Sequence, residues 1–412
     1  MMPTAKVIFI CAAAATFTVA AEAAELKFAF PAGAPQPAYE AKRGSGFLVA
    51  AAPNTPAIFA ADVAEGNYDV TIRFGNATAA TRTTIKAESR RLMLKDVATK
   101  PGQFVTRTFT VNVRKPTIAS LNSREKGPPP TPDWDEHLTL EFNGPHPGVA
   151  SLEIAPARDA LTVFIAGDST VTDQRHEPYA GWGQMLPCFF ERGVGISNQA
   201  ESGLALSSFE HQKRLEKIMS LLKPGDYVLI QFGHNDQKDK RAGAGPFTTY
   251  KAALKRFVAV IRAKGGLPVL VTSMERRRFD EAGKPTPTLK DYAEAVRQVG
   301  SEEQAPVIDL NAMSLKFYAA LGPEKSTQAF VFYPPKTFPG QDKELKDNTH
   351  HNAYGAYELA RCVVEGLKAQ VPVLAAHLVK DAGAFDPAKP DAPEQVAIPA
   401  SASTATEKPA GN

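Results

Sequence analysis

Leu161-Thr-Val-Phe-Ile-Ala-Gly-Asp-Ser-Thr170 is a short apolar run that stops abruptly at Gly167. Apolar runs of this length, closed by glycine, read as buried strands of a parallel sheet. Ligands of open α/β sheets bind outside the carboxyl ends of such strands. Ser169 therefore stands where chemistry is usually done, although a serine after a strand is more often a helix N-cap.

Strand and helix alternate from Leu161 onward. Further strands are expected at Ile196-Ser-Asn198, Asp226 to Gly233, Pro268 to Thr272 and Pro306 to Leu310, with helices at Gly181 to Phe190, Leu215 to Leu222, Tyr250 to Lys264, Asp291 to Ser301 and Tyr354 to Leu367. This predicts a three-layer α/β/α domain over 161–380 with about five parallel strands. Before it, residues 25–157 alternate apolar and polar positions in short runs separated by turn residues, the pattern of an all-β sandwich. The proline-rich loop Arg124 to Asp135 is expected to overhang one end of that sandwich. Beyond Asp381 the chain is Pro, Ala, Ser, Thr and charge, which predicts a disordered tail over 381–412.

The N-terminus carries Lys6, an apolar stretch from Val7 to Ala21 and then Ala21-Glu22-Ala23. These are the parts of a secretory signal peptide over 1–23, cut near Ala23, and they predict a secreted or periplasmic protein. No window holds the ~18 uninterrupted apolar residues of a membrane span. A formal net charge of +3 over 412 residues leaves no basic excess for general nucleic-acid binding. Of three cysteines, Cys11 leaves with the signal. Cys188 and Cys362 then read as two core thiols or as one disulfide.

Three further segments fall at the ends of α/β elements: Asn198-Gln-Ala-Glu-Ser-Gly203, Gly233-His-Asn-Asp236 and Asp347-Asn-Thr-His350. Acyl transfer to a serine needs an imidazole to take its proton and a carboxylate to fix that imidazole. Ser169, His350 and Asp347 are the candidates, the last two three apart on a turn. Backbone N–H groups of Ser169 and Gly203 and the amide of Asn235 are candidates for an oxyanion hole. His351 rivals His350, but alternation points it away and only His350 has a carboxylate at i−3. Asp347-x-x-His350 could also be half a metal site; no further metal spacing accompanies it, so neither metal nor other cofactor is expected.

No Gly-x-Ser-x-Gly elbow is present, which argues against the ordinary α/β-hydrolase design. The four segments, in this order, resemble the SGNH or GDSL-type hydrolase superfamily, whose blocks would here supply Ser169, Gly203, Asn235 and His350. Gly167-Asp-Ser-Thr170, Gly181-Trp-Gly-Gln184, Phe232-Gly-His-Asn-Asp236, Asp347-x-Thr-His350 and Gly355-Ala356 further resemble the rhamnogalacturonan acetylesterases of carbohydrate esterase family twelve, over about 161–370. The sandwich resembles galactose-binding-like modules in pattern only. Many relatives carry Arg after the second-block Gly, where this chain has Leu204. The resemblance implies a flavodoxin-like sheet and removal of acetyl groups from acetylated plant cell-wall polysaccharide. Acetylated xylan, lipid esters, or an inactive carbohydrate-binding protein are the rival readings. For sugar contacts, Arg276 and Arg277 of the run Arg276-Arg-Arg278 could meet a uronate carboxylate, and Trp182 could stack on a ring. The plainer readings are a solvated face for the arginines and core packing for the indole.

Overall fold

The computed structural model describes residues 25–31, 33–52, 55–118, 127–129, 134–405 and 407–410. The expected signal peptide and most of the loop Arg124 to Asp135 lie outside the described residues.

Nine strands form the front unit: β1 (Leu26–Ala29), β2 (Ser45–Val49), β3 (Ala57–Asp62), β4 (Gly66–Gly75), β5 (Thr81–Ala87), β6 (Arg91–Thr99), β7 (Phe104–Val113), β8 (His137–His146) and β9 (Val149–Pro156). They pair antiparallel as two sheets, in the orders β1-β9-β4-β7 and β2-β3-β8-β5-β6. Side chains two apart on a strand share a face, so Val70, Ile72 and Phe74 of β4 meet Leu138, Leu140 and Phe142 of β8 in one core between the sheets.

The second unit is built on β10 (Leu161–Gly167), β11 (Val194–Asn198), β12 (Tyr227–Gln231), β13 (Leu267–Val271) and β14 (Val307–Ile308). These run parallel in the order β11-β10-β12-β13-β14. Both faces are covered. Val163, Ile165, Leu229, Val269 and Val271 point to one side, where α1 (Trp182–Met185), α6 (Leu310–Lys325) and α7 (Ala353–Gln370) pack. Phe164, Ala166, Val228, Ile230 and Leu270 point to the other, under α2 (Leu206–His211), α3 (Arg214–Leu221), α4 (Lys251–Ala263) and α5 (Lys290–Glu302). Because β11 and β12 lie on opposite sides of β10, the strand order reverses at β10, and its carboxyl end opens into the crevice where such sheets bind ligands.

Three strands of the front unit, β2, β5 and β6, fall outside the expected alternation. The hairpin β5–β6 carries Lys86 and Arg91, both buried by partners from the second unit and the tail, so its sequence looks too charged for a strand. The tail beyond Asp381 is packed, contrary to the disorder its composition suggests. Phe385 and Val396 join the second unit's core, and Lys86 Nζ donates to the carbonyl of Pro399 at 2.7 Å. Cys188 and Cys362 both carry free thiols, so no disulfide joins them. No helix among the described residues is long and apolar enough to cross a membrane.

An antiparallel pair, β15 (Phe330–Tyr333) and β16 (Leu345–His351), closes the second unit ahead of α7. Asp347 and His350 lie on β16, a strand and not the expected turn. Asn352 caps α7, its side chain accepting from Gly355 N as the sequence suggests. His351 is buried against Phe330 and shares a 2.9 Å hydrogen bond with the hydroxyl of Tyr318.

Burial pushes the His351 imidazole down to about 3, and the neighbouring His350 and His234 add to the fall while Asp347 opposes it. Its folded value lies below the ~6.5 of an exposed histidine, so in acid the unfolded chain binds a proton that the folded chain refuses. This contribution to stability is intact above pH ~6.5 and is lost as pH falls toward 3; by pH 5 the loss is about 2 kcal/mol. Chemical denaturation at pH 7 and pH 5 should show His351→Gln losing about 2 kcal/mol less than the parent across that interval. Equal losses in the two proteins would assign the acid sensitivity to other groups.

Candidate active site

The turn after β10 holds itself together. The Asp168 Oδ1 atom accepts from the Thr170 backbone N–H at 2.9 Å and from its hydroxyl at 2.7 Å, an Asx turn. Val171 and Thr172 donate back to the Asp168 carbonyl. The turn folds so tightly onto the strand that a Cβ on Gly167 would come within 2.8 Å of the Val171 side chain. Ser169 emerges from it only 2% exposed.

The segments that the sequence separates by some 180 positions meet here. Ser169 Oγ lies 2.8 Å from Nε2 of His350, and Nδ1 of His350 lies 2.8 Å from Oδ2 of Asp347. Both partners are 1% exposed. Asp347 Oδ1 accepts the backbone N–H groups of Thr349 at 2.8 Å and His350 at 3.0 Å. Burial by itself would raise the Asp347 carboxyl, but the His350 hydrogen bond and charge and these two N–H groups hold it well below the usual carboxylate range. An imidazole anchored through Nδ1 to a carboxylate presents Nε2 to accept a hydroxyl proton. His351 points elsewhere, to Tyr318.

The second and third blocks are tied to each other and to this turn. Glu201 N donates to the carbonyl of Gly167 at 3.2 Å, bringing the loop with Gly203 beside Ser169. Gly203 adopts φ +83°, a left-handed conformation that favours glycine. The Asn235 amide donates to the Leu204 carbonyl at 3.1 Å, and Asp236 Oδ1 accepts Leu206 N at 3.0 Å. Burial raises the Asp236 carboxyl to about 7. Leu204 is buried in the core under α2 and α4. The imidazole of His234 lies 3.5 Å from Asp168 and is buried with it; burial lowers its pKa, although the Asp168 carboxylate opposes the shift.

Three expected sugar contacts have other occupations. Trp182 is 0% exposed and its indole N–H donates to Gln231 Oε1 at 2.8 Å, so it is a core residue that no ring can stack on. Arg277 spends its guanidinium on Ser326 Oγ, Asn348 Oδ1 and the Pro323 carbonyl, binding loops together instead of facing a crevice. Arg276 stitches the third block to the fourth through the His234 carbonyl and the Thr349 hydroxyl, both at 3.2 Å.

Other residues at the site gave no signal in the sequence. Gln174 donates to the Ser169 carbonyl at 2.7 Å, and the Tyr179 ring stands edge-on to His350 with centroids 5.9 Å apart. A cavity of about 250 Å³ lies between Arg175, Glu201 and Ser202 on one side and the tail residues Pro409 and Ala410 on the other. Ala410 also faces Gly203, 3.3 Å from where its Cβ would stand. Among the described residues no three His, Cys, Asp or Glu side chains converge as metal ligands would.

Residues 165–355 match the family model described as GDSL-like Lipase/Acylhydrolase. The chain is 44% identical over 225 residues to the rhamnogalacturonan acetylesterase RhgT of Bacillus subtilis, covering 54% of this chain and 96% of that protein. It is 33% identical over 209 residues to a probable rhamnogalacturonan acetylesterase, YesY, of the same organism, covering 50% and 92%. A solved structure of the Bacillus subtilis protein YxiM superposes with a TM-score of 0.48 at 24% identity, over 84% of this chain and 98% of that one. With the family model running from the strand behind Ser169 to the helix behind His350, and a 44% identical relative matched over nearly its whole length, the chain belongs to the GDSL-like lipase/acylhydrolase family as a serine esterase.

Proposed function

We propose that this esterase is a carbohydrate acetylesterase that removes acetyl groups from a pectic polysaccharide of the rhamnogalacturonan type, through an acyl-serine intermediate. The observation that carries the reading is the unbroken hydrogen-bonded relay from Ser169 through His350 to Asp347, in a chain 44% identical to a named rhamnogalacturonan acetylesterase. The basic start and apolar run of residues 1–23 fit export to where such polymers are found.

In this reading His350 Nε2 takes the Ser169 proton as Oγ attacks the acetyl carbonyl carbon. The resulting imidazolium is stabilised by the Asp347 carboxylate. Negative charge gathers on the carbonyl oxygen, where the N–H groups of Ser169 and Gly203 and the Asn235 amide receive it. Asn235 gives one amide N–H to Leu204, which orients the group and leaves its second N–H for the oxyanion. Collapse breaks the bond to the sugar oxygen, which leaves with the proton from His350. Water then repeats the sequence on the acyl-serine and releases acetate.

Ser169→Ala should lower kcat by on the order of 10³ or more with the fold intact, and a fluorophosphonate should label Ser169 in the parent. Full activity in the variant, or labelling elsewhere, would end the reading. Asn235→Ala should lower kcat by about 10²-fold or more at nearly constant KM, because its bond strengthens only in the transition state. A rise in KM with kcat unchanged would make Asn235 a substrate-binding residue instead. Acetate release should be faster from acetylated rhamnogalacturonan than from acetylated xylan at equal acetyl content; the reverse order would move the substrate to xylan while leaving the relay untouched.

A further inference from the structure

The three-residue turn between β5 and β6, Glu88-Ser-Arg90, belongs to the front unit but ends inside the second one. Glu88 and Arg90 both hold positive φ, +55° and +61°, a conformation that residues with a Cβ adopt at a cost and that clusters where the surrounding structure demands it. What demands it here is the loop after the Ser169 turn. Arg90 is 6% exposed, and its Nη1 donates to the carbonyls of Gln174 and Tyr179, each at 3.0 Å. Its Nη2 pairs with the carboxylate of Glu177. Gln184 completes the knot by donating to the carbonyls of Ser89 at 2.6 Å and Gln174 at 2.8 Å.

The residues so gripped touch the relay. Gln174 holds the Ser169 carbonyl, and Tyr179 stands edge-on to His350. The loop's far side is held by the tail: Ser401 N donates to Glu177 Oε1, Glu177 N to the Ser403 carbonyl and Ala405 N to the Glu177 carbonyl. From this we propose that Arg90, supplied by the front unit, is a positioning residue of the esterase site, setting Ser169 and His350 through Gln174 and Tyr179. The inference rests on the reading of Ser169 and His350 given above. The front unit is thereby part of the active site's construction, and small esters as well as polymers depend on it. A guanidinium suits the task because it presents a rigid fork of donors to two carbonyls and a carboxylate at once.

The test compares Arg90→Met, Arg90→Lys, Lys217→Met and Ser169→Ala in the full chain, on a small aryl acetate. Lys217 serves as the control because its buried ammonium also joins the two units, through Glu65 and the Thr117 carbonyl, without touching the loop. Arg90→Met should lose about tenfold or more in kcat with KM within about twofold, and the acid limb of its kcat/KM profile should move, since small misplacements of a catalytic pair cost rate before affinity. Arg90→Lys, which keeps the charge beside Glu177 and folds even if the methionine variant does not, should recover part of that loss. Lys217→Met should lower Tm while leaving kcat and the pH profile alone. A folded Arg90 variant with the parent's kcat and pH profile, or one altered only as Lys217→Met is, overturns the proposal. Activity in Ser169→Ala overturns the site reading beneath it, whereas an inactive Ser169→Ala beside an unimpaired Arg90→Met overturns this proposal alone.

Discussion

A carboxylate withdrawn from water must be met on every side, and Asp347 imposes that condition on much of the second unit. The transfer of an uncompensated carboxylate into a protein interior costs several kcal/mol, so the group survives as an anion only where donors are already in place. Three are: the imidazole Nδ1–H and two backbone N–H groups from the same strand. Backbone donors two and three residues away can reach one carboxylate oxygen only if the chain bends back locally, and β16 does so beside the irregular register between Phe330 and Val331. The cap at Asn352 then starts α7 at once, which fixes the far end of the segment. His350 is thus held by its own neighbours before Ser169 comes into the account.

Ser169 arrives on a different element, and the distance between the two is set by the sheet and by short polar ties among loops. Arg276 joins the third block to the fourth, Asp236 and Asn235 join the third to the second, and Glu201 N joins the second to the turn that carries Ser169. Most of these bonds run from a side chain to a backbone group, so each fixes a loop's path and not merely a side chain's direction. Two members of the arginine run on the active edge, Arg276 and Arg277, take part in such ties between loops.

The same logic explains what could be read in the sequence. The parallel strands were legible because both of their faces are buried and most of their residues are apolar. The approach of Ser169, His350 and Asp347 was to be expected because their residue types and the order of their segments are distinctive of the family. The hairpin β5–β6 was not, because Lys86 and Arg91 face a seam whose partners, Glu177, Ser401 and the Ile196 carbonyl, come from elsewhere in the chain. The packed tail was hidden for a related reason: it is held largely by polar side chains of the two units, such as Lys86, Asn143 and Glu177, and by a few apolar anchors such as Val396, which composition does not weigh. Trp182, conspicuous as a potential sugar platform, is conspicuous equally as a core residue, and its complete burial decides between them.

Buried charge at the seam between units has a consequence for how separable they are. Arg91, Arg114 and Lys217 are all buried there, satisfied by the Ile196 carbonyl, Asp173 and Glu65 respectively, while Leu92 reaches into the apolar core of the second unit. Removing one partner from such a pair leaves an unmet charge in a dry environment, at a cost of about 3–5 kcal/mol, whereas a purely apolar seam would lose area in proportion to what was cut away. Parting the units would instead return each cation to water, so these pairs penalise single substitutions in the closed seam more than they hold the units together. Leu92 and these buried bonds dock the front unit against the second one, with Arg90 reaching the loop behind Ser169.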